Sequence, residues 1–173
     1  MMDNKQTGMN VYTYLSHVQS LCSQYLHTKT RLIQLDSNLQ KRFLDFDALP
    51  NHQNLSAVNE AWNQKFSIMG MMPQIIDNIV YHLTEATRIA LSSMQASISV
   101  NNQLSVSIND NAIASICSLV EQSALPLHLK ELYRQNCIRQ NISLQLSDIE
   151  IRARMIGVTV PYFNQLKIII RGY

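Results

Sequence analysis

Glycine and proline are scarce in this chain, four of each in 173 residues. An all-β protein needs a turn-former about every ten residues, so that class is excluded first. Cysteine is nearly missing too. Cys22, Cys117 and Cys137 stand far apart, with no CxxC pair and an odd count, so neither a disulfide framework nor a zinc module is expected. Only 15% of residues are charged, too few for a disordered polyelectrolyte or a charge-laced coiled coil, while the 46% that are hydrophobic suffice for a core. No window approaches ~18 uninterrupted apolar residues, and the opening "MMDNKQTGMN" lacks the apolar centre of a signal peptide. The chain therefore reads as cytoplasmic, with no membrane segment. It also lacks GxGxxG, a phosphate-binding GxxxxGK[ST] loop and GxSxG, so no enzyme activity, catalytic residue or cofactor is expected.

What the chain does have is helical periodicity. Val11, Leu15, Val18, Cys22, Tyr25, Leu32, Leu39, Phe43 and Phe46 fall near alternating 4,3 spacing, interrupted at Lys29 and Asp36. One long amphipathic helix, or two stacked ones, should end at Leu49-Pro50. A short helix over 56–67 follows, with Ser56 as its cap and Trp62 and Phe66 on one face. Pro73 then opens a helix whose apolar positions, Ile76, Ile79, Val80, Leu83, Ala86, Ala90 and Met94, should pack antiparallel on the first. The expected fold is mainly α: a helical bundle over 1–96 for dimerisation or partner binding, then 97–173, separate or continuous with it.

Between Ala96 and Asn109 the period changes to two, with Ile98, Val100, Leu104, Val106 and Ile108 alternating with polar residues. A small β-hairpin over 98–108 is the reading, with a frayed helix end as the alternative. Asn109 or Asp110 would cap a helix over 111–123, closed by Ala124-Leu125-Pro126, and residues 127–140 form a basic helix with Lys130, Arg134 and Arg139.

Charge is unevenly spread. Residues 1–124 carry seven Lys/Arg against nine Asp/Glu, net −2, and residues 125–173 carry seven against three, net +4, which points to a polyanion-facing end. Within it lies "SDIEIRARMIGVTVPYFNQL". Ser147 and Glu150 form a capping box, Gly157 supplies a turn, and Thr159 caps a second helix with Pro161 in its first turn. Ala153, Gly157, Phe163 and Leu166 match the small residue, turn glycine and two apolar positions of a helix-turn-helix; Arg152 stands where such motifs place an apolar residue. In that geometry Thr159, Val160, Tyr162, Asn164, Gln165 and Lys167 face the major groove, Asn164 or Gln165 suiting adenine, while Arg152, Arg154, Lys167 and Arg171 hold phosphates.

Residues 147–171 resemble the generic helix-turn-helix of bacterial transcription regulators, and "ARMIGVTVPYFNQLKIIIRG" is similar to the corresponding segment of the flagellar master-regulator subunit family, which also runs into Arg-Gly. The resemblance implies a regulator that binds duplex DNA and whose other helices form a homodimer or receive a protein partner. That family carries a cysteine zinc cluster after its DNA-binding helices, whereas this sequence stops at Tyr173, so no metal site of that kind is expected. The competing reading is a non-catalytic helical adaptor, chaperone or assembly subunit, its C-terminal pair a plain helical hairpin; the breaks at Lys29 and Asp36 and the methionines at 69–72 and 94 motivate it. His82 and Glu85, at i,i+3, lack further ligands for a metal, and the cysteines read as core.

Overall fold

Seven α-helices make up the regular structure of the computed structural model, which describes residues 4–100, 103–121, 127–158 and 161–172. They are α1 (Asn4–Ala48), α2 (His52–Met69), α3 (Met72–Ser99), α4 (Gln103–Glu121), α5 (Leu127–Arg139), α6 (Ile142–Ile156) and α7 (Pro161–Arg171). The chain divides into two compact units. One comprises α1 up to Ser20 and everything from Asn78 onward; the other is Leu21–Asp77. Among the described residues no helix is long and apolar enough to cross a membrane.

The Leu21–Asp77 unit is built on the hairpin of α1 and α2. No proline interrupts α1 before Pro50, and its buried stripe continues past Lys29 by stepping one residue back, to Thr28 and Leu35, then on to Leu39. Thr28 tolerates burial because its hydroxyl donates to the Gln24 carbonyl at 2.8 Å. Asp36, which broke the sequence pattern, takes Lys65 of α2 at 2.5 Å. Leu39, Val58 and Ala61 close the core, with Phe46 packed on it. The cap of α2 is Asn51, not Ser56: its Oδ1 accepts from the Asn54 amide at 2.8 Å, and Asn54 Nδ2 in turn donates to the Leu49 carbonyl, clamping the turn around Pro50.

In the other unit α3 supplies the spine. Ile79, Leu83, Ala86, Ala90, Leu91, Met94 and Ile98 are buried along it, as the periodicity from Pro73 implies. Polar bonds set the register of its neighbours: the Thr87 and Tyr133 hydroxyls lie 2.6 Å apart, Asn136 donates to Thr84 at 2.8 Å, and Gln95 donates to Asp148 at 2.6 Å. Each ties α3 to α5 or α6. Tyr133 is fully buried, so its hydroxyl requires such a partner.

The expected hairpin over 98–108 is absent. Helix α3 runs through Ser99 and α4 begins at Gln103; only 101 and 102 of that segment lie outside the described residues. The alternation misled because its polar members are serines. Ser97 and Ser99 donate back to the Ser93 and Gln95 carbonyls, both at 2.9 Å, and so sit in a helix without exposing an unpaired hydroxyl. Asp110 is likewise no cap of its own helix, lying well inside α4.

Candidate nucleic-acid interface

The last two helices and their junction carry the predicted site. Helix α6 begins at Ile142, after Asn141 adopts a left-handed conformation with φ 61°, so Ser147 is not its N-cap and the expected capping box does not form. Ser147 is mid-helix and donates to the Ser143 carbonyl at 3.3 Å. Ile142, Leu146, Ile149 and Ala153 are the buried face. In this phase Ile149 fills the core, while Ile151 and Arg152 both face solvent, so the position at which the motif places an apolar residue contributes nothing to the core.

Gly157 ends α6 at φ 72°, a conformation costly for any side chain. The Val158 amide donates to the Ala153 carbonyl at 3.0 Å and the Gly157 amide to that of Arg154 at 3.4 Å, a Schellman closure that reverses the chain. Helix α7 follows, burying Phe163, Leu166 and Ile170 at i, i+3 and i+7 and packing against α4, α5 and α6. Its first turn is tied by Asp110 of α4, whose Oδ1 accepts from the Tyr162 amide at 3.3 Å. Burial pushes that carboxyl above its ordinary range, and the amide partly offsets the rise. A carboxylate thus already occupies the positive end of the α7 dipole.

Placement of the predicted residues is uneven. Tyr162, Asn164 and Gln165 are exposed on α7 beside Ile168. Arg152 faces solvent but leans on Asp148 at 3.3 Å and donates to Ser99 Oγ at 3.1 Å. Arg154 is the freest, 79% exposed and 3.6 Å from Glu150. Lys167 is drawn back onto α6 by Glu150 at 2.7 Å, and Arg171 donates to the Ser143 carbonyl at 2.9 Å and to the Ser147 hydroxyl. Thr159 and Val160 lie outside the described residues. The Lys167 hydrogen bond, helped by the charges of Lys167, Arg154 and Arg171, holds the Glu150 carboxyl below its usual range.

Asp110 and Glu150 are the residues that sequence reading missed in these roles. Their partners, Tyr162 and Lys167, lie 52 and 17 residues away, and no periodicity marks such pairs.

The cysteines and the His82 cluster lie elsewhere in the chain. Cys117 and Cys137 are buried, and burial pushes each thiol up to about 12; Cys22 is raised by the same cause. His82 stacks on His17 with ring centroids 5.4 Å apart, between Tyr14 and Tyr81, while Glu85 pairs with Arg88 at 2.6 Å. Among the described residues, no three His, Cys, Asp or Glu side chains gather as metal ligands. Comparison with protein-family descriptions, with curated proteins and with solved structures gives no match to this chain.

Proposed function

We propose that this protein is a DNA-binding regulator of transcription that reads duplex DNA with α7, held against α6 in a helix-turn-helix. One observation carries the reading. Ala153, Phe163 and Leu166 are buried about a left-handed Gly157, while Asn164 and Gln165 on α7 and Arg152 and Arg154 on α6 are left exposed. That is the division of labour the motif needs: apolar residues fix the angle between helices, amides reach base edges, and guanidinium groups meet phosphates. The resemblance of residues 147–171 to bacterial regulators supports it, and a cytoplasmic location and a dimer reading paired half-sites follow from it.

Because Asp110 caps α7, base recognition falls to the middle of the helix rather than to its first amides. Neutralising Arg152 and Arg154 tests the reading. Polarisation with a labelled duplex should show a salt slope shallower by about 0.9 for each phosphate that the variant no longer neutralises. A slope unchanged in the double variant contradicts it.

The pairing of Arg152, Lys167 and Arg171 within the chain favours a second reading, a non-catalytic adaptor whose last helices are only structural. It requires a stoichiometric protein partner and no affinity for duplex DNA at low salt.

A further inference from the structure

Helix α2 carries two apolar stripes, and only one is covered. Val58 and Ala61 are buried against Leu39. The second stripe, Leu55, Trp62, Phe66 and Met69, is between 38 and 59% exposed. Its steps of seven, four and three residues are those of a heptad seam, with Leu55, Trp62 and Met69 at d, Phe66 at a, and the exposed Asn59 at the remaining a position. Phe43 of α1 extends it. Asp36 bonds Lys65, whose ammonium lies 5.4 Å over the Trp62 ring, and Phe43, seven residues beyond Asp36, stands on that side of α1 and is exposed.

We propose that this stripe is the interface with a second copy of the same chain. Area is the first argument. At these exposures the four α2 side chains present about 400 Å² of surface, as much apolar area as a monomer ordinarily leaves in one patch. Two copies would bury about 800 Å² of it, and at the roughly 65% apolar share of homodimer interfaces the whole interface comes to about 1,200 Å², the size at which specific interfaces begin. Charge is the second. Glu60 is the only Asp or Glu and Lys65 the only Lys or Arg on α2, and Lys65 is already neutralised by Asp36. A strongly charged partner finds no counter-charge here, whereas two neutral seams meet without repulsion, each offering one asparagine to the other. Helix α2 is already folded on α1, so the ordering cost that makes a two-heptad coiled coil unstable by itself is not incurred on association. Such a dimer does not depend on DNA binding, to which it adds the second copy that paired half-sites need.

Trp62 is the only tryptophan in the chain and lies inside the stripe, so its emission reports on this surface alone. The full chain is sedimented from about 1 to about 100 µM, with emission read at each concentration. The 19.8 kDa species should approach twice its mass as emission shifts to the blue. Phe66→Glu and Met69→Glu should each weaken association about thirtyfold or more. Leu144→Glu, the same change at an exposed residue of α6, should leave it intact, and all three should keep wild-type helicity by circular dichroism. A chain that stays monomeric throughout, or that associates with Trp62 emission unmoved and both stripe variants unimpaired, overturns the proposal. A dimer through the stripe that ignores DNA upholds it and removes the DNA reading; a monomer that binds DNA does the reverse.

Discussion

Replacing Glu150 by glutamine should make the protein less stable and more attached to DNA. The carboxylate lies 2.7 Å from Lys167, which it holds against α6, and 3.6 Å from the largely exposed Arg154. Glutamine keeps an amide oxygen for Lys167 and removes the charge. Both side chains of the closer pair are about a quarter exposed, so solvent screens it and the loss should be about 1 kcal/mol, a fall in Tm of roughly 2–4 °C for a chain of this length. The sign with pH follows from the lowered carboxyl: its stabilisation is complete above the ordinary value of 4.5 and is lost as pH falls through the lower folded value. The gap between wild type and variant should therefore be full at neutral pH and close in acid. If α7 reads DNA as proposed, the released Lys167 adds about 0.9 to the salt slope, so a fourfold rise in salt should cost the variant about 3.5-fold more affinity than it costs wild type. Thermal melts from acid to neutral pH, and polarisation titrations at several salt concentrations, measure the two effects. A variant that melts with wild type at neutral pH and shows the same slope refutes the restraint of Lys167 by Glu150.

Leu166 is fully buried on the inner face of α7, so Leu166→Ala should cost about 3–5 kcal/mol in urea unfolding; an unchanged midpoint would mean that α7 is not docked as described. Gly157→Ala tests conformation apart from space. A Cβ there meets nothing within 4 Å, so the expected loss of about 1–2 kcal/mol is left-handed strain alone, and no loss at all means that the turn relaxes. His82, whose buried Nδ1 has no hydrogen-bond partner among the described residues, is held below its ordinary pKa by burial and by His17. Its folded form binds fewer protons than the unfolded, so stability should be full above pH 6.5 and fall as pH drops below it. His82→Phe, which keeps the stacking with His17 and Tyr14, should flatten that limb of the Tm profile; an undiminished limb assigns the effect to another group.

The helices were legible wherever a long periodic stripe announced them, as in α1 and in α3 from Pro73 on. So was the turn at Gly157, because glycine after Ile156 and proline at 161 are local punctuation. Three features were not. The serines around Ile98 imitate a strand, since period-two alternation says nothing about a hydroxyl that returns its proton to the carbonyl four residues back. The start of α6 was hidden because Asn141 begins it from a left-handed conformation with no side-chain cap bond, and Ser147, which with Glu150 spells a capping box, is already inside the helix. At the site, exposure of Asn164 and Gln165 followed from helical phase, but the tethering of Lys167 by Glu150 and the capping of α7 by Asp110 did not. Those bonds are made between helices, after the chain has folded.

Whether α7 is a reading helix is decided by the affinity of the full chain for duplex DNA of varied sequence, compared among wild type, Asn164→Ala and Gln165→Ala. If α7 reads the major groove, wild type binds at low salt and selects particular sequences. Each variant then loses discrimination at one base position by about 1–3 kcal/mol, with its salt slope unchanged, because these amides touch bases and not phosphates. No binding at low salt, or binding whose sequence preference survives in both variants, contradicts a DNA-reading role for α7.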